Sequence, residues 1–207
     1  MIKDMKAWKA EIIAAKTKRA MPILSFPCVS LMNITVEKLT EEASLQAQGM
    51  KLIADRVPSC ASVSMMDLSV EAEAFGAQTH YMPGEVPTVK DALIATPKEA
   101  EALQVPKVGA GRTGKYVEAI QKVSTLIVDR PVFAGVIGPY SLAGRLMGVS
   151  DIMIQCYDEP DAVHAVLQKA TEFLIDYTLA YKAAGANGVL IAEPLTGLLS
   201  PALAEEF

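Results

Sequence analysis

Apolar and polar residues alternate along this chain with two different periods, and the switches between them mark out its elements. The first twenty residues, "MIKDMKAWKAEIIAAKTKRA", interleave charged and apolar side chains at helical spacing, which predicts an amphipathic helix over 1–20. The next run, "MPILSFPCVS" (Met21 to Ser30), reads as a short apolar strand ending in a polar loop at Asn33. "TVEKLTEEASLQAQGMKLIADRV" (Thr35 to Val57) opens with acidic residues and carries a helical stripe. A second strand, Ala61 to Asp67, closes on a carboxylate. After it "AQTHYMPGEVPTV" predicts a hairpin-like excursion turning at Pro83-Gly84.

The second half is more regular. Thr96, Pro97 and Glu99 announce a short helix, and "GKYVEAIQKVSTLIVDR" a longer one. "PVFAGVIG" (Pro131 to Gly138) is apolar throughout, as a parallel strand covered on both faces tends to be. From "DEPDAVHAVLQK" onward a stripe through Val163, Val166, Leu167, Ala170, Phe173, Leu174 and Tyr177 predicts the longest helix. Gly185 stands at its C-terminal cap position. The last strand is Gly188 to Glu193, and Ser200 with Pro201 opens one more helix. Strand followed by helix, repeated, means parallel strands joined by right-handed crossovers. The expectation is therefore an α/β fold of a single domain over 1–207. Four such units amount to about half of a closed eight-unit barrel, and the helix opened at Ser200 has little room to continue, which suggests a portion of a longer chain.

Composition narrows the function. With 51% hydrophobic and 21% charged residues the chain can build a substantial core, and its net charge of -5 argues against a nucleic-acid partner, which needs a basic surface. No apolar run approaches the roughly 18 residues of a membrane span, and the N-terminal stretch carries Asp4 and Glu11, unlike a targeting peptide. The cytoplasm is the default compartment. The three cysteines, Cys28, Cys60 and Cys156, are too scattered for a disulfide framework, and neither CxxC nor HxC occurs, so no metal site is expected among these residues.

Ligands of parallel α/β folds lie beyond the carboxyl ends of the strands, which selects positions from the pattern alone. Those ends offer Cys28 to Asn33, Asp67 with Ser69, the turn Gly138-Pro139-Tyr140-Ser141, and Glu193 to Thr196. Asp67 and Glu193 can orient a substrate N–H or move a proton, or equally cap a helix. Gly138 would let backbone approach a ligand, and Arg145, placed on the first turns of the following helix, can meet an anion. His164 reads as a solvated side chain, and nothing specifies a role for His80. "VGAGRTGKY" imitates a phosphate-binding loop, but no convincing strand precedes it and Tyr116 stands where the magnesium hydroxyl belongs. It is expected to be a glycine-rich surface loop before a helix.

Three segments, "MMDLSVEAEAFGAQTHYMPGEVPTV", "VFAGVIGPYSLAGRLMG" and "AEPLTGLLSPALAEEF", together resemble the uroporphyrinogen decarboxylase superfamily, which includes corrinoid-dependent methyltransferases. The resemblance runs from about Pro22 to the last residue. It implies the family's (β/α)8 barrel, of which this chain would be about the first half. It also implies a cavity at the barrel mouth lined by Asp67, Gly138, Tyr140, Ser141, Arg145 and Glu193, with Asp67 matching the aspartate that binds pyrrole nitrogens in the decarboxylases. The arginine-rich substrate-binding segment of the decarboxylases is missing, since "SFPCVSLMNIT" stands there. Their tyrosine after the "PWTL" segment falls at Arg145, and their substrate-binding serine falls at about Pro194. The style of "EP-x-x-G-x-x-SP" looks more like the methyltransferase branch, which moves a methyl group from a methylcobamide to a thiol. By the same resemblance a corrinoid (methylcobamide) is the substrate, a corrinoid protein or a tetrapyrrole the partner, and zinc the expected metal, with ligands beyond Phe207. Decarboxylation of uroporphyrinogen and a non-catalytic corrinoid- or tetrapyrrole-binding fragment are the alternatives. Exposed edge strands would favour a homodimer.

Overall fold

Described from Lys3 to Phe207 in a computed structural model, the chain forms eleven α-helices, five strands and one 3-10 turn among the described residues. In chain order they are α1 (Met5–Ala14), α2 (Pro27–Met32), α3 (Val36–Glu41), α4 (Ala43–Arg56), β1 (Ser62–Val63), α5 (Val70–Ala74), β2 (Thr79–His80) and β3 (Thr88–Val89). There follow α6 (Pro97–Ala102), α7 (Thr113–Leu126), β4 (Val132–Ile137), α8 (Pro139–Met147), α9 (Val149–Asp158), α10 (Pro160–Ala183), β5 (Gly188–Ala192) and α11 (Pro201–Glu206).

The main sheet has three strands in the order β1-β4-β5. Ser62 pairs with Val132 and Val63 with Phe133 in parallel register. The Asn187 N–H donates to Val132 O and the Gly138 N–H to Ala192 O, so β4 and β5 also climb in the same direction. A separate antiparallel pair, Thr79 with Val89 and His80 with Thr88, forms the hairpin expected around Pro83-Gly84, where Gly84 takes φ 80°.

Two compact units divide the chain. Unit 1 comprises Met1–Met66, Lys115–Gly135 and Leu179–Leu190; unit 2 comprises Asp67–Gly114, Val136–Thr178 and Ile191–Phe207. In unit 1 the Asp4 carboxylate caps α1 through the N–H groups of Lys6 and Ala7, and Lys18 Nζ closes its far end on the carbonyls of Ile12 and Ile13. In unit 2 the aliphatic and aromatic stripe of α10 is buried as its spacing predicts, Val163, Val166, Phe173 and Tyr177 being fully enclosed. Each such side chain contributes roughly 1.5–3 kcal/mol by leaving water. Thr96 and Glu99 complete a reciprocal capping box on α6.

Several expectations need correction. Met21 to Ser30 is no strand: Pro27 sits at the first helical position, Asn33 closes the turn in the left-handed region at φ 53°, and the apolar run between them becomes α2. The main sheet therefore has three strands and not four. The helix expected from Thr35 to Val57 breaks at Glu42, whose extended backbone separates α3 from α4. The strand expected from Ala61 to Asp67 is only two residues long. The N-terminal helix ends at Ala14, and residues 1 and 2 of that expectation lie outside the described residues. Among the described residues no helix is long and apolar enough to cross a membrane.

Candidate functional site

Every group of the network described next belongs to unit 2. Asp67 lies four residues past β1, and its side chain is fully buried. Its Oδ1 accepts the N–H of Ser69 at 3.1 Å and the Ser69 hydroxyl at 2.7 Å, while Oδ2 receives Arg112 Nη1 at 2.5 Å. The same guanidinium donates Nε to Glu73 at 2.6 Å and Nη2 to Ser69 Oγ at 3.0 Å, and Tyr81 of the hairpin lies with its ring centre 5.7 Å from it. Arg112 arrives on the glycine-rich loop. Gly109 (φ 107°) and Gly111 (φ 53°) adopt left-handed backbone there, and a Cβ on Gly111 would press on Glu73.

That loop was expected at the surface. Its glycines 109 and 111 are exposed, but Arg112 and Thr113 are buried, the Thr113 hydroxyl bonding within the loop to Gly109 N–H and Ala110 O. The element before it is helix α6 and not a strand, unlike a phosphate-binding loop. What the sequence missed was the arginine. Asp67, Glu71 and Glu73 fall within seven residues at a strand end, and such a density of carboxylates calls for a cation.

Glu71, on α5, is 1% exposed and occupies the next layer. Its Oε1 accepts the N–H of Ile137, the last residue of β4, at 3.1 Å. Its Oε2 has no hydrogen-bond partner among the described residues. Burial raises its pKa to about 8, the neighbouring Asp67 charge adds to this, and the Ile137 N–H and Arg112 oppose it.

One residue further, the turn from β4 into α8 is gripped by a second carboxylate. Glu193, directly after β5, accepts the N–H of Tyr140 on Oε2 at 3.0 Å and that of Ser141 on Oε1 at 2.8 Å, and the Ser141 hydroxyl donates to Oε1 as well. These N–H groups belong to the first turn of α8 and have no partner within the helix. Glu193 thus caps α8 from a different segment of chain. Gly138 is required because any Cβ there would collide with the Glu193 carboxylate, so the backbone approach that its glycine permits is to Glu193.

The remaining expected site residues sit as follows. Tyr140 is buried with its hydroxyl 3.3 Å from Cys156 Sγ, and burial, then that contact, raises its pKa, so it carries a neutral phenol turned toward α9. Ser141 also accepts the Leu195 N–H at 3.1 Å. Arg145 is half-buried in the last turn of α8, not in its first turns. His80 and His164 are both exposed, and the His164 ring stacks on Phe207. The contacts therefore link Asp67 to Glu193 through Glu71, Ile137 and Gly138, and both carboxylates are engaged by protein donors. A groove of about 630 Å³ lies elsewhere, in unit 1, lined by Trp8, Lys18, Cys60, Asp129 and Arg130 among others. It adjoins the residues that precede β1 and β4. Ligands of parallel α/β folds sit at the opposite strand ends, so the network above is the better candidate.

A parallel three-stranded sheet with helices between its strands defines an α/β protein. The chain belongs to the uroporphyrinogen decarboxylase (URO-D) family, whose model matches residues 15–207. It is 29% identical over 160 residues to a uroporphyrinogen decarboxylase of Pseudomonas putida, covering 74% of this chain and 45% of that protein. To the uroporphyrinogen decarboxylase of Homo sapiens it is 28% identical over 159 residues, covering 73% and 43%. The chain thus matches less than half the length of these curated relatives. A methyltransferase from Methanosarcina mazei shares the fold with a TM-score of 0.85 at 23% identity, over 97% of this chain and 61% of that one.

Proposed function

We propose that this chain supplies about the first half of a (β/α)8 barrel that moves a methyl group from a methylcobamide to a thiol acceptor, with the ligand at the carboxyl ends of the parallel strands. One observation carries the reading. The buried guanidinium at the strand ends, Arg112, spends its donors on Asp67, Glu73 and Ser69, and the Glu193 carboxylate is engaged by Tyr140 and Ser141. Uroporphyrinogen is a polycarboxylate, and recognising it calls for charge-assisted donors facing the ligand. A macrocycle bearing neutral amides makes no such demand.

The segment that stands where the decarboxylases carry arginines supports the same reading, because α2 has no basic residue. In this scheme Asp67 is a buried carboxylate at the strand end, Arg112 and Ser69 fix its orientation, and Glu193 holds the Gly138 to Ser141 turn. Zinc, which the resemblance implies, finds no fitting set here. Among the described residues no three of His, Cys, Asp and Glu converge to hold a metal, and activation of the thiol falls outside what these residues do.

The second reading, decarboxylation of uroporphyrinogen, is favoured by the names of the curated relatives and by the match of Asp67 to the decarboxylase aspartate. Incubating the full-length protein with uroporphyrinogen, and separately with methylcobalamin and a thiol, distinguishes the two. Methyl transfer without loss of carboxylate is expected; efficient decarboxylation would overturn the proposal.

A further inference from the structure

We propose that Glu71 is a positioning residue of the strand-end network: buried beside the Arg112 guanidinium without bonding it, Glu71 carries a proton, which leaves that guanidinium to Asp67 and Glu73, and so sets the field around Asp67 at the ligand site. Only the last clause rests on the reading of the strand ends as the ligand site.

The inference starts from charge. Asp67 and Glu73 each take a direct N–H from Arg112, at 2.5 and 2.6 Å, so one positive charge already faces two negative ones. Glu73 is partly exposed at 23%, but an ionised Glu71, 1% exposed, would be a further uncompensated charge where little water reaches. Burial therefore places the proton on Glu71, and the contacts agree. Glu71 alone of the three has no direct bond to the guanidinium in the network, and its Oε2 has no partner. A carboxylic acid fits that position, with Oε1 accepting the Ile137 N–H and Oε2 bearing the hydrogen. The raised pKa of Glu71 has the same cause.

The charged groups around it are few. Asp67 faces it from the segment after β1, and Arg112 faces it from the glycine loop. Glu73 shares its helix and is held on Arg112; β4 presents only the Ile137 N–H. From α8, which packs on α5, the charges are Arg145 in the last turn and the Glu193 carboxylate engaged at the first. Ionising Glu71 would therefore act on two things together: the Asp67–Arg112 pair, and the end of β4 from which the Glu193-clamped turn begins.

The test uses the full chain with glutamate labelled at the carboxyl carbon, titrated by NMR in the wild type, Glu71→Gln and Asp67→Asn. One carboxyl signal should titrate at about 8 in the wild type and vanish in Glu71→Gln, whose amide reproduces the neutral acid. In Asp67→Asn its midpoint should move down, because the repelling charge is gone. Alongside, methylcobalamin affinity followed against pH should change by up to about tenfold per pH unit above the midpoint in the wild type and stay flat in Glu71→Gln. No glutamate titrating above the ordinary carboxylate range, or the same signal persisting in Glu71→Gln, overturns the proposal. A Glu71→Gln affinity profile with the wild-type break overturns its last clause. Absence of methylcobalamin binding at any pH would overturn the methyl-transfer reading instead, and the NMR titration would still decide whether Glu71 holds the proton.

Discussion

Replacing Glu193 with alanine removes the acceptor of three hydrogen bonds that start α8. The donors left behind are the N–H groups of Tyr140 and Ser141 and the Ser141 hydroxyl. Tyr140 and Ser141 are both about 2% exposed, so water cannot readily take the place of the carboxylate. An orphaned buried donor costs about 1–3 kcal/mol, and loss of a helix cap alone about 1 kcal/mol. The hydroxyl can rotate to another acceptor, so the cost is dominated by the two backbone groups, and the expected loss is roughly 3 kcal/mol. For a chain of 150–250 residues each kcal/mol lowers the melting midpoint by about 2–4 °C, which makes the expected drop about 6–12 °C. Glu193→Gln keeps one carbonyl acceptor and should lose about half as much. Circular dichroism melts and urea titrations of the three proteins measure the order directly. If Glu193→Ala falls by less than about 1 kcal/mol, within the range of an unremarkable surface substitution, the capping argument is wrong.

Three further outcomes are expected. Arg112→Met should destabilise the chain by about 3–5 kcal/mol in urea titration, because it strands Asp67 and Glu73 without their cation. Stability should depend on pH through Glu71, whose carboxyl is raised from 4.5 to about 8: its contribution is fully present below about 4.5, declines as pH rises, and is gone above about 8, a swing on the order of 5 kcal/mol that urea midpoints should show and Glu71→Gln should lack. Gly185→Ala should cost about 1 kcal/mol or more by the same measure, since Gly185 has φ 101° and a Cβ there would press on Ser124 Oγ.

What the sequence made legible follows from locality. The helix start at Thr96, Pro97 and Glu99, the glycine cap at 185, and the Ser200 cap with Pro201 are decided within a few residues, and each was legible. So was β4, whose apolar composition leaves no alternative face for water. The run from Met21 to Ser30 failed because a short apolar stretch suits a strand or a buried helix equally. Pro27 and Asn33, a start and a stop, carried the information that settles it. Asp67 and Glu193 can be picked out by their place at strand ends. Their partners cannot, because Arg112 comes from 45 residues away and Glu193 reaches 53 residues back to Tyr140. The glycine loop was judged by its spacing against a nucleotide signature, while its content, one arginine among permissive glycines, was the part that mattered.

Trp8 is the only tryptophan in the chain, and it donates its indole N–H to Cys60 O at 3.2 Å while its ring leans on Phe133 with centres 5.8 Å apart. Both partners belong to unit 1, whereas Glu71, Arg112 and Glu193 belong to unit 2. Intrinsic fluorescence therefore reports the seating of α1 and nothing of the carboxylate network directly. Followed beside the far-ultraviolet signal, its emission reveals whether damage done in one unit melts the other at the same denaturant concentration, with no dye or label added.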